Sequence, residues 1–187
     1  MVTSFDTLDG TRIQLGDTMM ARTITLQGNP LPLDGPELKV GDTAPDATLA
    51  KGLGQDMQLQ DLAGKARIYS VVPSLDTPVC AEQTKRFNEE AAGLPNVALY
   101  TISTDLPTAQ SRFCGAESID TDRLTVLSDH KSVEFGKRYG TLIPALRVLC
   151  RAVFVVGADD TIKYVEYVPE VANHPNYDAI LACAKGL

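Results

Sequence analysis

The sequence predicts a three-layer α/β fold with a mixed central β-sheet. Three observations point to it. Short runs rich in β-branched residues alternate with segments of helical periodicity. The order then closes with a hairpin and a final helix, which makes the sheet mixed rather than wholly parallel. The chain has 187 residues, with no internal repeat, no low-complexity tract and no linker long enough to divide it, so there is room for one domain.

Taken in order, residues 1–20 stand apart. The pattern fits best from Ala21 onward, which leaves an N-terminal extension ending at Met19-Met20. It is a natural extension, the product of a misassigned start or a non-native tail, flexible or folded as a small hairpin about Asp9-Gly10. Residues 21–187 then carry the domain. Residues 23–26 and 31–33 flank Gln27-Gly28-Asn29-Pro30 and read as a short hairpin. Residues 41–49 read as a loop leading into a short extended piece. Residues 66–72 form a β-branched run that ends at Pro73, as a buried strand does. A helix over residues 78–93 places Val79, Phe87, Ala91 and Leu94 on one face.

Residues 96–103 are a second core strand. Residues 107–114 read as a short helix stopped by Gly115. A third strand spans residues 124–127, and a helix over residues 133–139 ends at Gly140. Residues 151–156 and 161–168 flank the turn 157–160. The last helix starts near Pro175, with Tyr177, Ile180, Leu181 and Ala184 at i, i+3, i+4 and i+7.

Composition narrows the function. Seventeen Lys and Arg against 24 Asp and Glu give a net charge of −7, with no basic run. Such a chain is a poor electrostatic partner for nucleic acid or for an anionic membrane, so neither is expected as a partner. The first residues show no apolar stretch of the length a secretory signal needs, and the expected compartment is a reducing cytoplasm. Four cysteines, Cys80, Cys114, Cys150 and Cys183, are too sparse for a disulfide scaffold and form no CxxC. His130 and His174 are isolated from any cysteine pair. No metal site and no cofactor is therefore expected.

The segment from Pro73 to Cys80 carries the chemistry. A core strand stops at a proline and a helix follows. Asp76 or Thr77 can cap that helix, and Pro78 suits its first turn because it lacks an N–H that would have no partner there. Cys80 then sits where unpaired N–H groups and the positive end of the helix dipole stabilise negative charge on sulfur. The thiolate is the nucleophilic form of cysteine. Glu82 opposes this, so a cation is required to complete the site. Position alone also allows Cys80 to be a small core residue.

Pro73, Thr77 and Cys80 match the pattern Pro-x-x-x-Thr-x-x-Cys, and the segment resembles the active-site loop of peroxiredoxins. The string Ser74-Leu75-Asp76-Thr77-Pro78-Val79-Cys80, followed by Gln83-Thr84-Lys85-Arg86-Phe87, is similar to the bacterial thiol peroxidase subfamily. Gly41-Asp42-Thr43-Ala44-Pro45-Asp46 resembles the entry segment of the same superfamily, with Ala47 where a phenylalanine is usual. Residues 105–107 and 110–117 resemble the subfamily's resolving-cysteine helix, and residues 151–153 its arginine-bearing strand.

The resemblance implies a thioredoxin-like fold with an added N-terminal β-hairpin. It implies a thiol-dependent peroxidase of the atypical two-cysteine type. In that reading Cys80 attacks the peroxide, Thr77 bonds its oxygens, Arg151 holds the thiolate, and Pro73 limits water at the substrate pocket. Cys114 then resolves the sulfenic acid as an intramolecular Cys80–Cys114 disulfide, which thioredoxin reduces. Hydrogen peroxide and organic hydroperoxides are the implied substrates, and a homodimer the implied assembly. Spacing alone leaves Arg86 and Arg147 open as the cation. Cys150 and Cys183 read as buried spectators, His174 as a solvated helix-start residue and Glu89-Glu90 as a wet helix face. A cysteine hydrolase using His130 has no supporting motif. A non-enzymatic redox sensor built on the same cysteine pair is the alternative from another class.

Overall fold

A computed structural model describes residues 22–187. The extension assigned to residues 1–20 lies outside the described residues. β1 (Thr23–Leu26) and β2 (Asn29–Pro32) form an antiparallel hairpin about Gln27-Gly28. Both turn residues have positive φ, +52° and +77°, as a two-residue turn of this hand requires; glycine takes that geometry freely and glutamine does not.

β3 (Thr48–Gly52) and β4 (Gln55–Gln58) make a second hairpin. β5 (Ala66–Val71) is buried along its whole length, including its two polar residues, Arg67 and Ser70. α1 (Pro78–Glu90) follows and tightens into a 3₁₀ turn at Ala91–Gly93. Next come β6 (Val97–Ser103), α2 (Pro107–Ala116), β7 (Leu124–Ser128) and α3 (Glu134–Arg138). The two-residue pair β8 (Leu142–Ile143) and β9 (Val148–Leu149) precedes β10 (Ala152–Val156), β11 (Ile162–Tyr167) and α4 (Tyr177–Lys185).

One seven-stranded sheet runs β11-β10-β5-β6-β7-β3-β4. β5, β6 and β7 are parallel, while β10, β11, β3 and β4 add antiparallel pairing at the two sides. Side chains alternate between the faces with period two. Tyr69, Tyr100, Ile102 and Phe154 meet Phe135 and Tyr139 near α3 on one face. Ile68, Leu99, Val153 and Val155 meet Phe87, Phe113, Ile180 and Leu181 of α1, α2 and α4 on the other. This is the expected three-layer arrangement with an added hairpin. No helix of the described residues is long and apolar enough to cross a membrane.

Four local readings change. β4 was not anticipated, because Gln55–Gln58 is a polar, largely exposed edge strand with no apolar alternation. α2 runs through Gly115 to Ala116; its end is turned by Ser118 (φ +54°), after which the Ile119 N–H reaches back to the Cys114 carbonyl at 3.0 Å. The buried face of α1 is Cys80, Gln83, Thr84 and Phe87, with Val79 only half-buried. Cys183 is half-buried rather than buried.

Asp129 lies between β7 and α3 and is 1% exposed. Its carboxylate accepts the N–H groups of Phe135 at 3.2 Å and Gly136 at 2.8 Å. Burial nevertheless pushes its pKa up to about 6. The folded state thus binds a proton that the unfolded chain releases near the ordinary value of 3.8. The contribution of Asp129 to stability is therefore greatest at low pH and declines as pH rises from about 4 to about 6. A carboxyl ¹³C NMR titration of the folded protein is expected to give Asp129 a midpoint near 6; a midpoint near 4 would refute the assignment.

Candidate active site

β5 pairs with β6 as far as Val72, whose N–H donates to the Ile102 carbonyl at 3.0 Å. Pro73 has no N–H to extend the ladder, and the chain leaves the sheet there, half-buried. Asp105, just past β6, fixes the departing loop. Its carboxylate accepts the Ser74 hydroxyl, the Leu75 N–H and the Ser103 hydroxyl, each at 2.8 Å. Thr77 then occupies the N-cap position and Pro78 the first position of α1. Cys80 falls in the first turn, fully buried, where N–H groups have no carbonyl four residues back within the helix.

Neither expected capping side chain caps α1. Asp76 pairs instead with Arg112 of α2 at 2.9 Å. The Thr77 hydroxyl lies 2.8 Å from the Cys80 sulfur and 3.0 Å from the Ser74 carbonyl. A hydroxyl has one proton to give. With a thiol, Cys80 donates to Thr77 and Thr77 donates to Ser74; with a thiolate, Thr77 donates to sulfur.

The cation at the sulfur is Arg151. β10 runs antiparallel to β5 and pairs Ala152 with Val71, so the residue before β10 emerges at the end of β5 where the Cys80 loop begins. Arg151 is 1% exposed, and its guanidinium donates in three directions. Nη2 points to the Cys80 sulfur at 3.3 Å, Nη1 to Gln83 Oε1 at 2.6 Å, and Nε to the Val171 carbonyl at 2.9 Å. Arg86 and Arg147 do not take this place. Arg86 lies over the Tyr177 ring, 4.0 Å from its centroid, and Arg147 sits with φ +53° in the exposed β8–β9 turn.

Gln83 was not singled out from the sequence. It is fully buried on the same face of α1 as Cys80, and its amide nitrogen donates to the Ser70 hydroxyl of β5 at 2.8 Å. The available signal was its place three residues after the cysteine, one helical turn along the same face.

The other cysteines are in different surroundings. Cys114 lies in the last turn of α2, beside Pro107, Ser111 and Ile119, and burial pushes its thiol up. Cys150 is fully buried and pushed up to about 12 by burial, and burial also raises Cys183. All four cysteines are free thiols, so no bond joins Cys80 to Cys114 in this state. The two do share one apolar cluster. Around it, Asp76–Arg112, Lys85–Glu117 at 2.9 Å and the Asn88 amide to the Asp120 backbone tie α1 and its loop to α2 and the turn after it.

His130 contacts Ser128 at 2.9 Å, and no bond links it to Cys80. His174 is more than a solvated end: it bridges Glu82 of α1 at 3.2 Å and the Tyr177 hydroxyl at 2.8 Å. That contact gives the Glu82 carboxylate a partner of its own. A cleft of about 850 Å³ at the other end of the sheet, lined by Lys65, Asn96, Tyr100 and Arg123, holds no cysteine or histidine.

Comparison with known proteins identifies the family of the chain. Residues 39–181 match the model of the Redoxin family. The chain is 52% identical over 159 residues to a thiol peroxidase of Oceanobacillus iheyensis, covering 85% of this chain and 96% of that one. It is 50% identical over 164 residues to a thiol peroxidase of Bacillus subtilis, covering 88% and 97%. A peroxiredoxin-like protein from Aquifex aeolicus superposes with a TM-score of 0.82 at 43% identity, covering 89% of this chain and 97% of that one. A thiol peroxidase from Chromobacterium violaceum shares the fold, with a TM-score of 0.78 at 20% identity over 88% and 96% of the two chains.

Removing the Gln83 amide would leave a buried guanidinium N–H and the Ser70 hydroxyl without their partner. Gln83→Leu is expected to lower the unfolding free energy by about 2–3 kcal/mol, read from chemical denaturation. A loss under about 0.5 kcal/mol, the range of inconsequential surface changes, would contradict the buried network.

Proposed function

The chain belongs to the Redoxin family and, within it, to the thiol peroxidase group, and on that premise we propose that it reduces hydroperoxides with Cys80 as the attacking thiolate. One observation carries the reading: a buried cation and a hydroxyl, Arg151 and Thr77, converge on a single sulfur. Both contacts favour the thiolate, and both are placed to bond a peroxide oxygen as charge moves onto it.

The thiolate attacks one peroxide oxygen and the O–O bond breaks. Its electron pair stays on the leaving oxygen, which takes up the peroxide proton by way of the Thr77 hydroxyl. Thiolate and ROOH thus become sulfenate and ROH. Arg151 faces the developing charge with two N–H groups already fixed by Gln83 and Val171, so little reorganisation accompanies the step. Pro73, at the mouth of the loop, limits water at the sulfur.

Cys114 then attacks the protonated sulfenic acid, giving a Cys80–Cys114 disulfide and water. The Asp76–Arg112 pair keeps the segment before Cys80 beside α2, which supports the pairing. A disulfide needs Cα atoms within about 7 Å. Wherever the reduced state holds them farther apart, the first turn of α1 and the last turn of α2 must loosen for the bond to form. A thioredoxin dithiol reduces the disulfide and becomes oxidised in turn. Hydrogen peroxide and small organic hydroperoxides are the substrates. A homodimer and a reducing cytoplasmic setting complete the proposal through the same resemblance.

The test couples peroxide addition to thioredoxin, thioredoxin reductase and NADPH consumption. Cys80→Ser is expected to abolish peroxide reduction. Cys114→Ser is expected to give one oxidation per chain and no sustained NADPH consumption. Thr77→Val is expected to slow the first oxidation by about 10²- to 10³-fold. Unchanged turnover in Cys80→Ser would sink the assignment, and sustained thioredoxin-linked turnover in Cys114→Ser would sink the resolving role. A wild type that forms the disulfide without turning over would instead be a redox sensor.

A further inference from the structure

The third donor of Arg151 leads away from the sulfur to the added hairpin. Nε–H ends on the Val171 carbonyl, and that peptide is not held by the central sheet. β1 holds it. The Val171 N–H donates to the Thr25 carbonyl at 2.8 Å, and the Thr25 N–H donates to the Pro169 carbonyl at 2.7 Å. Thr25 and Glu170 thus form a parallel bridge that sets the height of the Val171 carbonyl.

Glu170 closes this contact from the other side. Its carboxylate accepts the Thr25 hydroxyl at 2.8 Å, the Gln27 and Gly28 N–H groups at 3.1 Å each, and the Ala172 N–H at 3.2 Å. The two turn N–H groups face one way because both residues have positive φ, a small nest for an anion that the side chain fills. The Gly28 N–H foremost, with Thr25, Ala172 and Gln27, holds the carboxyl pKa down to about 2, so Glu170 is an anion throughout the physiological range.

We propose that Glu170 is a positioning residue for the peroxide reaction: it locks the β1–β2 turn onto residues 169–172 and so fixes the Val171 carbonyl that aims Arg151 at Cys80. Apart from the sulfur itself, two bonds aim the planar guanidinium, one to Gln83 and one to Val171. With Val171 displaced, only Gln83 would orient it, and Nη2 would rotate off the sulfur. The hairpin is on this view a buttress of the site rather than a surface ornament. The inference rests on the role given to Arg151 above.

The test measures the second-order rate of Cys80 oxidation by peroxide across pH, in the full chain with Cys114→Ser so that later steps do not enter. Glu170→Ala is expected to slow the reaction about tenfold at neutral pH and to move the midpoint of the pH profile upward. Glu170→Gln, which keeps an acceptor at the same reach, is expected to recover part of the rate. In Arg151→Lys, which by itself slows the reaction, adding Glu170→Ala is expected to cost nothing further, because the two act through one contact. A rate and profile unchanged in Glu170→Ala, or losses that multiply independently with Arg151→Lys, would overturn the positioning role while leaving Arg151 in place. An unaltered rate in Arg151→Lys alone would overturn the role of Arg151 itself, and the buttress with it. If Glu170→Ala does not fold, Glu170→Gln and Thr25→Val carry the same comparison.

Discussion

The site is organised by one buried positive charge. Arg151 sits almost wholly inside the protein with no carboxylate among its hydrogen-bond partners. Removing a charge from water costs several kcal/mol even after relaxation, and it persists only where other groups replace the lost hydration. Two neutral oxygens, from Gln83 and Val171, supply part of that. The remaining partner, Cys80, is the one that can itself become an anion. Guanidinium and thiolate are therefore mutually dependent. The cation makes the reactive form of the sulfur favourable, and the sulfur completes the solvation of a cation that would otherwise be out of place. The first turn of α1, the antiparallel entry of β10 and the segment 169–172 all serve this contact.

The remaining thiols show what the contact does. Cys150 is as deeply buried as Cys80, and burial pushes its thiol up to about 12. Burial disfavours the thiolate wherever no compensating donors are aimed at it. What sets Cys80 apart from Cys150 at equal depth is the pair of directed hydrogen-bonding groups, Thr77 and Arg151, at its sulfur.

How much of this was legible in the sequence depends on the range over which each feature is built. The strand–proline–helix junction around Cys80 is local: Pro73 ends one element, Pro78 begins the next, and Thr77 stands one turn before the sulfur. The alternation of strands and helices, and the closing helix with its Tyr177, Ile180, Leu181 and Ala184 face, was legible for the same reason. The nearness of Arg151 was not, since it depends on sheet order; resemblance, not spacing, pointed to it over Arg86 and Arg147. Gln83 carried only its place one helical turn after Cys80, and Glu170 carried no local signal. A glutamine on an amphipathic helix reads as solvated, and only its meeting with Arg151 and Ser70 puts it inside. Glu170 reads as a loop carboxylate until the hairpin turn folds over it. Polar β4 and the continuation of α2 through Gly115 were missed for a related reason: neighbouring elements overrode weak intrinsic preferences.

Asp105 gives the loop before Cys80 a stiffness that bears on timing. It joins Ser74 and Leu75 to Ser103 at the end of β6, so the loop is set before any oxidant arrives. A stiff cradle serves a fast first encounter. In the proposed cycle it also resists being drawn open afterwards, when an oxidised Cys80 would have to meet another thiol. On that proposal the lifetime of the oxidised sulfur would be set by the local opening free energy of this junction, a property of the fold, more than by the intrinsic reactivity of the thiol that comes to meet it.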